Sequence, residues 1–113
     1  MPIPPVYQSI VDSLVEQTRN RRLTWREGES KWVFLVSLER YSIKLVDSGQ
    51  DIGTEYNLSL INNEGKEIDS FTVRRLDPGF QGMQSLWESA RRNALGLEEA
   101  LKEIEQELRA LGP

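Results

Sequence analysis

The sequence predicts an α+β domain: an antiparallel sheet of four or five strands in meander order, preceded by one helix and followed by two. Three observations carry this expectation. Apolar residues recur at helical spacing near the start, at a spacing of two from Leu23 to Arg75, and at helical spacing again beyond Asp77-Pro78-Gly79. At 113 residues the chain has material for one modest core, so it reads as a single domain over 1–113.

Pro4 and Pro5 suit a helix entrance, and Val6, Ile10, Val11, Leu14 and Val15 form the apolar stripe behind them. The predicted helix has about four turns. It frays in TRNRRL, where Asn20 and the arginines suit the negative end of the helix dipole.

LTWRE is a short first strand, and KEIDSFTVRR is the last. Between them Trp32, Phe34, Val36 and Leu38 share one face with Tyr41, Ile43 and Leu45, and with Tyr56, Leu58 and Leu60. The Glu39-Arg40 turn pairs Leu38 with Tyr41, Val36 with Ile43 and Phe34 with Leu45. A two-residue hairpin prefers Asn-Gly there, so the turn is either strained or wider. NNEGK, Asn62 to Lys66, predicts a turn with Gly65 in the left-handed conformation and Leu60 opposite Ile68. Phe71 and Val73 then fall on the face opposite Ile68, with Val33, Leu35 and Ile61. Either a bulge near Asp69-Ser70 resets the phase or both sheet faces are partly covered; the sequence favours the second, because Val33 and Leu35 also need shelter. Asp47 to Thr54 is the one loop long and glycine-rich enough to be mobile.

Met83, Leu86, Trp87, Ala90 and Ala94 mark the second helix. Gly96 sits where a left-handed residue would close it. Leu97, Leu101, Ile104, Leu108 and Leu111 continue at spacings of 4, 3, 4 and 3, out of phase with the stripe before them, with Glu98 and Glu99 in the first turn of a third helix. The leading expectation is that this narrow stripe docks on the chain's own sheet; the alternative is a helix shared in a homodimer.

Composition excludes much chemistry. The chain has no cysteine and no histidine, which removes disulfides, thiolate nucleophiles, the usual transition-metal ligands and every relay built on His. An enzyme would have to rely on carboxylates, Lys, Tyr or Arg. There is no G-x-x-x-x-G-K-[ST], G-x-G-x-x-G or G-x-S-x-G motif, and Asp47, Asp51, Glu55 and Asp69 lack the spacing of a calcium loop. No metal, nucleotide or other cofactor is expected. Trp25, Trp32 and Trp87 read as core residues in preference to a ligand pocket.

The net charge of −4 is uneven: residues 1–50 carry 7 basic and 6 acidic side chains, the remainder 7 and 12. That balance disfavours broad affinity for phosphate backbones. No apolar run is long enough to span a bilayer, and MPIPPVYQ has neither a basic nor an apolar leader segment, so a soluble cytoplasmic protein is expected.

Two sets of residues are candidate partner-binding sites. Arg19, Arg21, Arg22 and Arg26 could hold a phosphate or an acidic partner if they converge. Leu101, Ile104 and Leu108 could be shared with a partner helix.

LVEQTRNRRLTWR, RYSIKL, YNLSLINNEGKEIDSF and, above all, LWESARRNALGLEEALKEIEQEL resemble a family of small uncharacterised bacterial proteins of cyanobacterial type, sometimes found as modules in larger chains. The resemblance covers nearly the whole chain after Val6. It implies a helix, a meander and a helical pair, with Asn-Gly often standing where this chain has Glu39-Arg40, and it implies no activity or catalytic residue. The function expected is a non-enzymatic protein–protein interaction module that binds another protein or, weakly, itself as a homodimer. A nucleic-acid-associated regulator using the arginines is the alternative, and a small-ligand binder or carboxylate-based enzyme a further one.

Overall fold

A computed structural model describes residues 3–49 and 53–112. The first helix, α1 (Pro5–Arg19), begins with Pro5 at a position where its missing N–H leaves no hydrogen bond unmade. Its buried residues are Tyr7, Val11, Leu14 and Thr18, whereas Val6 is 73% exposed and Ile10 is also exposed. The inward face therefore lies one residue round from the predicted stripe. Tyr7 leads it because an aromatic ring has more surface to bury than Val6: it packs on Phe71 with ring centroids 4.9 Å apart, and its hydroxyl donates to Asp69 at 2.6 Å.

Five antiparallel strands follow in sequential order: β1 (Trp25–Glu27), β2 (Val33–Ser37), β3 (Ser42–Asp47), β4 (Glu55–Ile61) and β5 (Glu67–Arg74). Val36 pairs with Ile43 and Phe34 with Leu45, in the predicted register. Neither Glu39 nor Arg40 has positive φ, so the primed turn does not form. The loop is wider, from Leu38 to Tyr41, closed by the Leu38 N–H donating to the Tyr41 carbonyl at 2.7 Å.

Gly65 takes φ 81° in the NNEGK turn, and the Asn62 side-chain oxygen accepts from the N–H groups of Glu64 and Lys66. Beyond it the register departs from expectation. Leu60 pairs with Asp69 and Ile61 with Glu67, leaving Ile68 as the extra, exposed residue of a bulge. This slip of one residue turns Phe71 and Val73 onto the core face with Tyr56 and Leu58. Phase resetting, not coverage of both faces, is the solution adopted.

The opposite face carries cross-strand rows of Leu35, Lys44, Ser59 and Ser70, and of Val33, Val46, Asn57 and Thr72. Val33 is sheltered there by the turn before it, where Gly28 approaches so closely that an added Cβ would lie 2.5 Å from the Val33 Cγ1. Residues 50–52, the middle of the predicted mobile loop from Asp47 to Thr54, lie outside the described residues. At its edges the buried Asp47 carboxylate accepts from the Gly53 N–H at 3.0 Å and the Gly49 N–H at 3.4 Å.

Helix α2 (Phe80–Ala94) lies across the core face, with Met83, Leu86, Trp87 and Ala90 buried. The Trp87 ring sits 4.9 Å from Phe34 and 5.7 Å from Tyr56. Gly96 then takes φ 62° and α3 (Leu97–Ala110) starts at once, with Glu98 and Glu99 in its first turn. Two helices with a left-handed glycine between them are thus the arrangement the sequence predicts.

The docking of α3 on the sheet is not realised. No residue of α3 is buried, and its main contact is with α2, beside the half-buried Leu97 and Ala100. α1 and α2 already close the core, and the turn at Gly96 leads α3 away from it. The radius of gyration, 15.8 Å, exceeds the roughly 13 Å of a compact chain this long, as a projecting helix requires.

Candidate functional site

The site is built where α1 ends, β1 begins and α2 passes into α3. At the end of α1 the Arg21 N–H donates to the Thr18 carbonyl at 3.1 Å and the Arg22 N–H to the Gln17 carbonyl at 2.9 Å, closing a Schellman motif. Arg21 occupies its left-handed position with φ 60°, where glycine is the usual residue. Its side chain is thereby carried to the start of α3, where it pairs with Glu98 and, at 3.7 Å, with Glu99.

Asn93 ties the other side. Its side-chain oxygen accepts from the Trp25 N–H at 2.7 Å, and its amide donates to the Leu23 carbonyl at 3.0 Å, so one side chain serves the backbone on the free edge of the sheet as a neighbouring strand would. The Trp25 indole N–H donates to the Thr18 hydroxyl at 2.9 Å, which donates in turn to the Leu14 carbonyl at 2.6 Å.

These bonds frame a groove of about 530 Å³. Arg19, Arg21 and Arg92 border it together with Glu88, Glu98 and Glu99. Its charge is therefore mixed. Hydrogen bonding to Arg21 holds the Glu98 carboxyl below its ordinary range and raises the arginine further above neutrality.

The four predicted arginines do not form one cluster. Arg19 and Arg21 border the groove, whereas Arg26 leaves β1 to donate to the Ser37 hydroxyl at 2.9 Å and Arg22 is exposed at the helix end. Strand geometry explains the separation, because Arg26 is turned to the face opposite its neighbour Trp25.

The three predicted apolar residues do come together. Leu101 and Ile104 are each 49% exposed, Leu108 61% and Leu111 81%, so the stripe becomes more open along α3. Helical geometry places Glu105 on one flank of this stripe, with Glu98 continuing the same side, and Glu107 on the other; Lys102 and Arg109 lie toward the back.

Elsewhere polar groups are occupied in holding the fold. Hydrogen bonding to Asp69 pushes the Tyr7 hydroxyl up to about 12, and burial does the same for Tyr56. Arg74 at 2.8 Å and the Ser48 hydroxyl at 2.9 Å hold Glu55 below its ordinary range. Among the described residues no buried side-chain nitrogen or oxygen lacks a partner, and no three acidic, His or Cys side chains converge in a metal-ligand arrangement. No described helix is long and apolar enough to cross a membrane.

Sequence reasoning assigned no role to Asn93 or Thr18. Asn is a weak helix former, and its place in the last turn before Gly96 was the available signal. Comparisons with protein-family models, curated proteins and solved structures yield no match to this chain.

Proposed function

We propose that this protein is a non-enzymatic protein–protein interaction module, and that the exposed stripe of α3 is its docking surface. The observation that supports this reading most is that α3 buries nothing while Leu101, Ile104, Leu108 and Leu111 share one side. A helix of 14 residues is marginal alone in water, and its stability comes from covering its apolar face. Contact with α2 near its start leaves that face open for a partner. A cysteine-free chain fits a reducing cytoplasm, which we take as its setting.

The test compares the tagged wild-type chain with a Leu101→Gln/Ile104→Gln/Leu108→Gln variant in extract of the native cell. A defined protein is expected to be retained by the wild type and released by the variant, while Arg19→Ala/Arg22→Ala retains it. Equal retention by the stripe variant would refute the assignment. A nucleic-acid-associated regulator instead requires a gel shift that weakens steeply with salt and depends on Arg19, Arg22 and Arg26.

A further inference from the structure

We infer that the partner segment docking on α3 is an amphipathic helix whose apolar stripe is flanked by Lys or Arg. This inference rests on the docking reading above and adds the chemistry of the occupant. The spacing of 4, 3, 4 and 3 from Leu97 to Leu111 is that of positions that receive knobs from a second helix, and the last four members of the stripe are exposed.

Charge then selects among helices. In such a pairing the residues beside the stripe face the partner's own flanking residues. Here those residues are Glu98 and Glu105 on one side and Ala100 and Glu107 on the other; Lys102 lies toward the back of the helix, and Arg109 reaches forward to Glu105. Glu98 is engaged by Arg21 and Glu105 by Arg109, and Glu107 makes no ion pair among the described residues. A partner with basic flanks meets Glu107, which has no ion pair among the described residues, on one side and Glu98 and Glu105, shared with Arg21 and Arg109, on the other; one with acidic flanks meets repulsion at Glu107.

The same reasoning disfavours a second copy of α3. Packed antiparallel, two copies oppose Glu105 to an acidic flank and Glu107 to Glu107. Packed parallel, they set Glu107 opposite Gly112 and Glu105 opposite Ala100, which gains no ion pair.

Two labelled peptides of about three heptads, both with Leu at the stripe positions, test the inference. One carries Lys on both flanks and the other Glu. Titrated with the full chain, the Lys-flanked peptide is expected to bind at least about tenfold more tightly, with the advantage shrinking as salt rises. Glu105→Lys/Glu107→Lys is expected to reverse the preference, and the Gln stripe variant to abolish binding of both peptides. Equal binding of the two peptides, or an α3-dependent dimer of the chain in sedimentation, overturns the inference. If neither peptide binds while the protein captured from native extract is still held through the stripe, the basic-helix assignment falls and the docking reading stands. If that capture also fails, both fall.

Discussion

Replacing Leu101, Ile104 and Leu108 together by Gln separates an uncovered stripe from one that is part of the core. Each residue already has about half or more of its surface in water, at 49%, 49% and 61% exposure. Gln has nearly the helix propensity of Leu, so what is lost is mainly contact between side chains one turn apart, about 0.2–0.5 kcal/mol per pair. For three residues the sum is about 1 kcal/mol, or a few degrees in melting temperature. If the stripe were docked on the sheet, each change would remove about 2–5 kcal/mol, and three would exhaust the stability of an ordinary domain. Leu86→Ala supplies the internal comparison: Leu86, on the inward face of α2, is fully buried, and its truncation is expected to cost about 3 kcal/mol. Thermal melts followed by circular dichroism and Trp fluorescence read both. A triple variant that melts as low as Leu86→Ala, or fails to fold, would refute the placement of α3.

Other substitutions probe the remaining joints. Asn93→Ala removes two hydrogen bonds to the backbone leading into β1 and is expected to lower stability by about 2 kcal/mol, whereas Arg91→Ala, an exposed change in the same turn, stays within about 0.5 kcal/mol in the same melts. At Gly96 an added Cβ meets nothing within 4 Å, so Gly96→Ala carries only the backbone penalty of positive φ, about 1 kcal/mol, and Gly96→Asn less; a stabilised Ala variant would mean that α2 and α3 fuse. Tyr7 and Tyr56 are both raised to about 12 in the folded chain, from an ordinary value near 10. Their protonated forms favour the fold below pH 10, and this stability is lost as pH rises toward 12. Tyr7→Phe is therefore expected to flatten alkaline denaturation followed by circular dichroism, leaving the part due to Tyr56.

The periodicities made most of the architecture legible: NNEGK and Gly96 announced their turns through the residue type that adopts positive φ most readily. The phase conflict in β5 was legible and a bulge near Asp69-Ser70 was one of its two solutions, but the choice of a bulge, and its place at Ile68, follow from packing Phe71 under Tyr7, which no local residue announces. On α1 the predicted Val11, Leu14 and Val15 face the core but Val6 and Ile10 do not, since a stripe count gives Val6 the same weight as the much larger Tyr7. Leu101, Ile104 and Leu108 were visible as a stripe, but periodicity shows that a face is apolar, not what covers it. The separation of Arg26 from Arg19 and Arg21 depends on strand alternation next to a helix end, and it became visible only once both elements were placed.

The most direct test of the docking surface is photo-crosslinking in the native cell, with a photoreactive residue at position 104 on α3 or, as a control, at position 72 on the sheet face opposite the helices. The expected result is an adduct between position 104 and one defined protein, absent from the Thr72 position and abolished when Leu101 and Leu108 are also changed to Gln. Adducts at position 72 but not 104, or none at 104 while the chain is fully folded, would contradict α3 as the surface through which this protein acts.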